Sequence, residues 1–318
     1  MASGHTTLTD QFLIRDQLYS KQLKSLLEDD LQAMKWVRIL SDFPDGNTFN
    51  IPSLGEADAH PFNEGQAIKY DRLDTGNFQF EIDTYEYSAH SISEKFKRDS
   101  FWAANVESAF APRQHRAIME RIETRILSRG PSGQTPSNLN VINTADHRWV
   151  GGGTGERITL EDFARARYAL KKANVPLTNL TAVVDPSVTF TLETQANLTN
   201  LLTPQPRWSD TIHNGLSTGY QFRFNIAGFD VYESNYLPEG LAETIDGRTT
   251  TDGVANQFFS AAPGDTLPLV GAFRQMPTVY SEFNKDLQQE EFMTITEYGF
   301  KLFRPENMVV VITDKDVV

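Results

Sequence analysis

The 318-residue sequence predicts an α+β fold made of more than one part. Three observations carry this prediction. A long alternating polar and apolar stretch lies near the N-terminus, an isoleucine stripe of helical period follows it, and short helices and strands succeed one another after residue 156. The length is enough for two domains, or for one domain with large insertions.

Composition excludes several classes of function. The 42 acidic residues outnumber the 29 basic ones, which gives a formal net charge of −13 and makes the chain a poor binder of nucleic-acid phosphates. There is no cysteine, so neither a disulfide framework nor thiolate catalysis is open to it. No apolar run approaches the roughly 18 residues of a membrane span, so we expect no membrane partner.

The first element is a predicted helix over residues 10–40, with leucines at three- and four-residue spacing. Residues 47–93 then predict a long hairpin with a broad tip, whose second arm, residues 64–93, alternates polar and apolar side chains. Nothing nearby in the sequence reads as a partner sheet for this ribbon. Because so long a hairpin is unstable alone in water, we expect another copy of the chain to cover it.

The predicted intersubunit contact lies on this second arm. Its apolar face is expected to lie in water in the isolated subunit, and its charged residues are expected to set the register against a neighbour. The residues are Lys69, Asp71, Arg72, Asp74, Phe78, Phe80 and Ile82.

A helical region follows, over about residues 94–128. Pro112 is expected to break it or to begin a second helix. The helix has one narrow apolar seam, which we expect to pack against Val309–Ile312 near the C-terminus. The seam consists of Ile118, Ile122 and Ile126.

A second region begins near residue 156. Thr159 is a favourable N-cap for the next helix, and "LTAVVD" predicts a short buried strand after it. Asp185 with Pro186 predicts the start of a further helix. A strand pair with Gly228 at its turn comes next.

The remaining segments are a loop and two strands. Residues 239–265 are rich in Gly, Thr and Asp and predict a loop. The chain closes with "YGFKLF" and "MVVVITD", which predict strands on either side of an Arg-Pro turn.

Two patterns could indicate enzyme chemistry, and both have a simpler explanation. Gly215–Gly219 matches a nucleophile elbow with Ser217 as nucleophile, but a strand-like stretch follows it and the last histidine, His213, precedes the serine. Gly151–Glu156 lacks the Lys-Ser/Thr ending of a phosphate loop and predicts a flexible linker. The six histidines show no metal-ligand spacing. We therefore predict a protein that is not an enzyme and has no cofactor and no metal.

Five segments occur in a distinctive order, namely the hairpin "GNTFNIPSLG…EGQAIKYDRLDTGNFQFEIDTYEYSAHSISEK", then "RQHRAIMERIETRILSRG", "TLEDFARARYALKKANVPLTNLTAVVDPSVTFTL", "IAGFDVYESNYLP" and "FRPENMVVVI". This order resembles that of the major capsid proteins of tailed bacteriophages (Caudovirales), which have the Hong Kong 97-type fold. The hairpin resembles their extension loop (E-loop), and the second segment their spine helix. The next two resemble parts of the axial domain, and the last the strand that returns to the peripheral domain.

The resemblance implies a division of the chain into four parts. These are an N-terminal arm with a helix over 1–45, the E-loop over 46–94, a peripheral domain with the spine helix over 95–145 and 276–318, and an axial domain over 146–275.

The same resemblance implies a structural protein of the virion that self-assembles. Hexamers and pentamers of the chain would form an icosahedral head that encloses double-stranded DNA without sequence-specific binding. Assembly would take place in the host bacterial cytoplasm with a separate scaffolding protein and a portal, and a decoration protein is left open. Two alternatives are an encapsulin-type nanocompartment shell without DNA, and a serine hydrolase that would lose its activity on Ser217→Ala.

Overall fold

The computed structural model describes most of the chain. The described residues are 31–40, 48–54, 59–62, 64–65, 67, 70, 75–99, 103–194 and 222–315.

Helices and strands alternate through these residues, which confirms the α+β class. The helices are α1 (Glu94–Asp99), α2 (Ala103–Ser132), α3 (Leu160–Lys172) and α4 (Pro186–Thr194), with short 3-10 helices at Ala33–Trp36 and Pro305–Asn307. The strands are β1 (Val37–Ile39), β2 (Thr48–Leu54), β3 (Thr75–Glu81), β4 (Thr84–Ser93), β5 (Val141–Ile142), β6 (Ala145–Asp146), β7 (Arg148–Val150), β8 (Leu180–Val184), β9 (Phe222–Ile226), β10 (Phe229–Glu233), β11 (Thr244–Ile245), β12 (Arg248–Thr249), β13 (Gly253–Ser260), β14 (Leu269–Asn284), β15 (Gln289–Leu302) and β16 (Val309–Asp314).

Two larger sheets organise the fold. One has six strands in the order β7-β16-β13-β8-β10-β9, and the other has four in the order β1-β14-β15-β4. Strands β2 and β3 form a separate antiparallel hairpin. The six-stranded sheet is mixed, since β8 pairs in parallel with β10 and antiparallel with β13.

The long helix α2 joins the two sheets in one apolar core. Its seam of Ile118, Ile122 and Ile126 is buried in the same cluster as Val254 and Phe259 of the six-stranded sheet. That cluster also contains Tyr298, Phe300 and Leu302 of β15, in the four-stranded sheet. The two sheets therefore share the apolar seam of a single helix.

Strand β16 presents alternate residues to α2 and to α3. Val310 and Ile312 lie in the cluster of the isoleucine seam, as predicted, whereas Val309 and Val311 lie in a second cluster with Phe163 of α3. The predicted contact of the seam with the whole of Val309–Ile312 is therefore correct for every second residue. The reason is that successive side chains of a strand point to opposite faces of its sheet.

Strand β16 lies inside the six-stranded sheet. Its backbone pairs antiparallel with β13 and parallel with β7, and both partners lie in the range 146–275 assigned to the axial domain. A strand belongs to the sheet that satisfies its hydrogen bonds, and its place in the sequence does not determine that sheet. The division of the chain into four parts stays a prediction.

Several local signals are confirmed. Thr159 caps α3 and forms a capping box with Asp162. The carboxylate of Asp185 accepts a hydrogen bond from the backbone N–H of Ser187 at the start of α4 (2.9 Å). Ala227 and Gly228 both have positive φ at the turn between β9 and β10, as a two-residue turn of type I′ requires.

The helix predicted over residues 10–40 is wrong where the structure describes it. Residues 33–36 form a 3-10 helix, and Val37–Ile39 pair with β14 as a strand. The leucine-rich residues before 31 lie outside the described residues. Pro112 neither breaks α2 nor begins it, but lies inside the helix, where it removes one backbone donor.

The loop predicted over residues 239–265 contains β13, an inner strand of the six-stranded sheet whose eight residues are all buried. The side-chain NH2 groups of Asn256 and Gln257 each donate to a backbone carbonyl inside the core. The Asn256 side chain donates to the Val311 carbonyl (3.1 Å) and accepts from the Asp185 N–H (2.9 Å). The Gly- and Thr-rich flanks and these two amides give the segment the composition of a loop.

Gly151–Glu156, predicted as a flexible linker, is held on several sides. The N–H of Gly151 donates to the Ile312 carbonyl (2.8 Å), and the N–H of Gly152 donates to the Asp162 carboxylate (3.0 Å). A Cβ at Gly151 would lie 2.7 Å from the carbonyl oxygens of Glu156 and Arg157. Close backbone approach therefore explains the glycine.

Removal of the Asp162 carboxylate should destabilise the fold strongly. This buried group also accepts hydrogen bonds from Trp149 Nε1 (3.0 Å) and from the Thr159 N–H (2.8 Å). Asp162→Ala leaves those donors without a partner, so we expect a loss of about 3 kcal/mol or more in the free energy of unfolding. Urea unfolding followed by circular dichroism measures it. Glu161→Ala, at an exposed position of the same helical turn, should cost at most about 1 kcal/mol, and equal losses would contradict this role.

The pH dependence of stability should contain a contribution from His147. Burial lowers the pKa of this histidine, although the Ala145 carbonyl and nearby carboxylates favour the charged form. The unfolded chain therefore takes up the proton first, and stability should decrease as pH falls below about 6.5, with a slope of at most about 1.4 kcal/mol per pH unit.

The measurement is urea unfolding between pH 7 and pH 5, run on His147→Gln and on a matched control. His147→Gln should remove this part of the slope, and His115→Gln, at an exposed position of α2, should retain it. A wild-type slope in the His147 variant would contradict the assignment.

Candidate assembly interface

The β2–β3 hairpin projects from the four-stranded sheet and is paired along its full described length. Its register runs from Thr48 opposite Glu81 to Leu54 opposite Thr75. This confirms a hairpin within the predicted range. At its tip, Phe62 is 77% exposed and Tyr70 is 89% exposed.

The hairpin root is buried within the subunit itself. Phe80 is 0% exposed and Ile82 is 5% exposed, and both pack with Val270 and Ala272 of β14. Phe78 is partly buried and meets the ring of Phe303 edge-on, with ring centroids 4.9 Å apart. The expectation that this apolar face lies in water in the isolated subunit is therefore wrong. We define the hairpin root as residues 78–83.

The other four predicted contact residues, Lys69, Asp71, Arg72 and Asp74, lie outside the described residues. The structure therefore does not place them relative to the hairpin root. Whether any of the seven residues contacts a neighbouring subunit stays a prediction.

The second arm of the ribbon is divided between two sheets. Strand β3 pairs with β2, but β4 leaves the hairpin and pairs with β15 over Thr84–Ser93. A partner sheet therefore exists, contrary to the sequence prediction, and it is formed by residues about two hundred positions later. The arm changes partners at Ile82–Asp83.

Gly299 of β15 lets the hairpin root pass closely over the sheet. A Cβ at this position would lie 2.5 Å from the Glu81 carbonyl oxygen and 3.0 Å from the Ile82 Cα. On the same strand, Lys301 Nζ donates to the Gln79 carbonyl (2.8 Å) and lies 5.1 Å from the centre of the Phe78 ring. The root is thus held against β15 by backbone contact and by one cation.

Asp83 ties the other side of the root to α2. Its carboxylate accepts hydrogen bonds from Arg129 Nη2 (2.8 Å) and from the Thr84 hydroxyl (2.9 Å), and it lies 3.9 Å from Arg125 Nη2. Burial alone would raise the pKa of Asp83, but the Thr84 hydrogen bond and the two arginines lower it below its usual value. The ionised form is therefore the favoured one.

The face of the four-stranded sheet that covers α2 carries polar groups beside the apolar residues of the shared core. Gln114 of α2 donates to the Phe292 carbonyl (3.0 Å) and accepts from the Thr294 hydroxyl (3.1 Å). The Tyr298 hydroxyl donates to Glu86 (2.7 Å), and burial together with this carboxylate raises the pKa of Tyr298. These hydrogen bonds fix the sheet on the helix.

The opposite face of the same sheet carries exposed aromatic side chains. The pairing register places Tyr87 beside Ile295, and Ala89 beside Met293 and Tyr280, on that face. We call it the tyrosine face; its exposed members are Tyr85, Tyr87, Tyr280 and Met293. Sequence reasoning missed it, because polar Thr84 and Glu86 face the helix while the tyrosines face outward.

A buried carboxylate on α2 holds the chain that precedes β1. Glu123 is 2% exposed and accepts hydrogen bonds from the backbone N–H groups of Gln32 and Ala33, both at 2.9 Å. These two N–H groups lie at the start of the 3-10 helix Ala33–Trp36 and have no acceptor within the helix, so the Glu123 carboxylate supplies one.

The described residues offer no arrangement suited to catalysis by a metal. No group of three or more His, Asp or Glu in them could hold an ion. None of the described helices is long and apolar enough to cross a membrane. Ser217 and His213 lie outside the described residues. What the described surface presents is a projecting hairpin and an aromatic sheet face.

A family model described as "Phage capsid protein" matches residues 78–311, which is most of the chain. The chain belongs to the phage capsid protein family. It is a capsid subunit of a phage virion. The predicted resemblance to phage major capsid proteins is thereby confirmed.

Solved capsid structures share the fold of this capsid protein. The capsid structure of cyanophage P-SCSP1u matches with a TM-score of 0.71 at 14% identity, over 98% of this chain and 95% of that chain. The capsid of Ralstonia phage GP4 matches with a TM-score of 0.70 at 11% identity, over 98% of each chain. A Mycobacterium phage Che8 structure matches with a TM-score of 0.66 at 17% identity, over 95% of this chain and 97% of that chain. No curated protein matches the chain.

Loss of the Glu123 carboxylate should release the chain before β1. Glu123→Ala leaves two buried N–H groups without an acceptor, so we expect a loss of about 3 kcal/mol or more in stability, with faster amide hydrogen exchange over residues 32–39. Glu120→Ala removes a half-exposed carboxylate three residues earlier, which pairs with Arg116, and should cost about 1 kcal/mol or less. Unchanged exchange over residues 32–39 in the Glu123 variant would rule the contact out.

Proposed function

We propose that this capsid protein assembles into the hexamers and pentamers of an icosahedral phage head that encloses double-stranded DNA, and that its hairpin tip contacts the neighbouring subunit. The projecting hairpin carries this proposal, because its root belongs to the subunit's own core while its tip exposes large aromatic side chains. An arm that is anchored at one end and apolar at the other is suited to joining copies of the chain.

The free energy gained by burying the tip side chains is large enough to favour assembly. Burying a large side chain such as Phe62 or Tyr70 stabilises by roughly 1.5–3 kcal/mol, and each subunit of a shell repeats the contact. The charged residues between β2 and β3 in the sequence would set register and make assembly sensitive to salt; they are Lys69, Asp71, Arg72 and Asp74.

The acidic chain is suited to enclosing DNA without binding it. The net charge of −13 repels phosphates, so the wall would not retain the genome during packing or ejection. We place assembly in the host cytoplasm, with a separate scaffolding protein and a portal as partners. The family match to phage capsid proteins favours the head over an encapsulin-type shell or a hydrolase.

The test is a deletion confined to the tip. Residues 55–74 are replaced by Asn-Gly, which keeps β2, β3 and the buried Phe80 and Ile82. A deletion that also removed residues 78–82 would take away part of the subunit's own core. We expect a subunit that is folded by circular dichroism and melts cooperatively, but forms no closed shells in negative-stain electron microscopy.

Two further variants sharpen the result. Phe62→Ser with Tyr70→Ser keeps the whole backbone and should raise the protein concentration needed for shells. Asp246→Asn serves as a control, in the exposed turn between β11 and β12 where Asp246 and Gly247 have positive φ. It should leave assembly unchanged. Normal shells from the deletion variant would refute the tip contact. A wild-type chain that stays monomeric at every concentration and salt would refute the shell function itself.

A further inference from the structure

The hairpin root meets two arginines through a single carboxylate. Arg125 and Arg129 are four residues apart on α2 and therefore lie on the same side of the helix, one turn apart. Both point towards Asp83, which lies 2.8 Å from one and 3.9 Å from the other. Asp83 itself sits where the arm passes from β3 to β4.

The local charge balance makes Asp83 the decisive member of this group. Arg121, Arg125 and Arg129 follow one another along α2, and the acids that face them from the arm are Asp83 and Glu86. Without Asp83, two guanidinium groups would face each other across one turn with no counterion between them. The Nε–H groups of Arg125 and Arg129 are already buried without an acceptor, so neither arginine has a second partner ready at that nitrogen.

Contacts with β15 hold the opposite side of the hairpin root. Gly299 allows the backbone at Glu81 to pass at contact distance, and Lys301 holds the Gln79 carbonyl. Phe80 and Ile82, which lie between the residues that contact β15 and Asp83, are buried in the subunit core. The root is therefore held from two sides before any neighbour is present.

We propose that Asp83 is the positioning residue of the hairpin: by binding Arg125 and Arg129 it fixes the direction of the hairpin in the free subunit. A pre-positioned arm does not have to be ordered when a neighbour binds, so the entropic cost of association is lower. We call the contact of Asp83 with Arg125 and Arg129 the clamp. Its consequence for assembly rests on the function proposed above, whereas the clamp itself is a property of the isolated subunit.

The test is hydrogen exchange on the full, unassembled chain with Asp83→Asn. Asp83 and Arg129 are partly exposed, so the pair adds little to global stability, and the thermal midpoint should not change. Amide protection over residues 76–82 should fall about two- to fivefold. Asp146→Asn removes a similar, partly exposed pair with Arg165 of α3, and should leave the hairpin amides at wild-type protection.

A double-mutant cycle separates the clamp from a general weakening. Arg125→Gln with Arg129→Gln should loosen the same amides, and adding Asp83→Asn to that variant should produce no further loss. In the wild type alone, raising the salt from about 0.05 M to about 1 M should reproduce the loosening, because the ion pair is partly exposed and is screened. The salt response should be absent in Asp83→Asn, and a response of wild-type size in that variant would assign the loosening to another charge at the root, such as Lys301.

Assembly gives the second readout. Asp83→Asn should raise the concentration needed for shells, while Asp146→Asn should not. Wild-type protection of residues 76–82 in Asp83→Asn, or losses that add in the cycle, would overturn the clamp. If the tip deletion forms normal shells, the proposed contact fails, and the exchange measurements on the free subunit still decide the role of Asp83.

Discussion

The apolar seam of α2 is the contact on which the rest of the structure depends. Ile118, Ile122 and Ile126 pack at once against the six-stranded sheet and against β15 of the four-stranded sheet. Burial of this seam stabilises both sheets, since each packs closely against the same helix. Side chains of the same helix also bind two other segments: Glu123 binds the chain before β1, and Arg129 binds Asp83 of the hairpin root. Both sheets, the chain before β1 and the hairpin root therefore all contact α2.

Local features of the fold could be predicted from the sequence because a few neighbouring residues determine them. The cap at Thr159, the start of α4 and the turn at Gly228 each depend on chemistry within about five positions. Strand pairing does not. The sequence does not indicate the sheet of β16, since its partners β7 and β13 are distant along the chain. The composition of β13 predicts a loop, since its amides find their acceptors only in the folded core.

The candidate interface shows the same limit. Alternation correctly indicated a hairpin, but it did not say which face would be buried or by what. The root residues Phe80 and Ile82 are covered by β14 of the same chain. The outward side chains of β4 include Tyr85 and Tyr87, and its inward ones include Thr84 and Glu86. A tyrosine has an apolar ring and a polar hydroxyl, so it is tolerated on either face. Only the tertiary contacts of α2 settle the orientation.

The contact between the hairpin root and β14 also has a consequence for the order of events during synthesis. Phe80 and Ile82 are buried by Val270 and Ala272, which leave the ribosome much later than the hairpin itself. Until then α2 can bind Asp83, but Phe80 and Ile82 have no apolar surface to cover them, because contacts between distant residues form only when both are present. A chain that ends before residue 270 therefore exposes these two side chains to water and to other copies of itself.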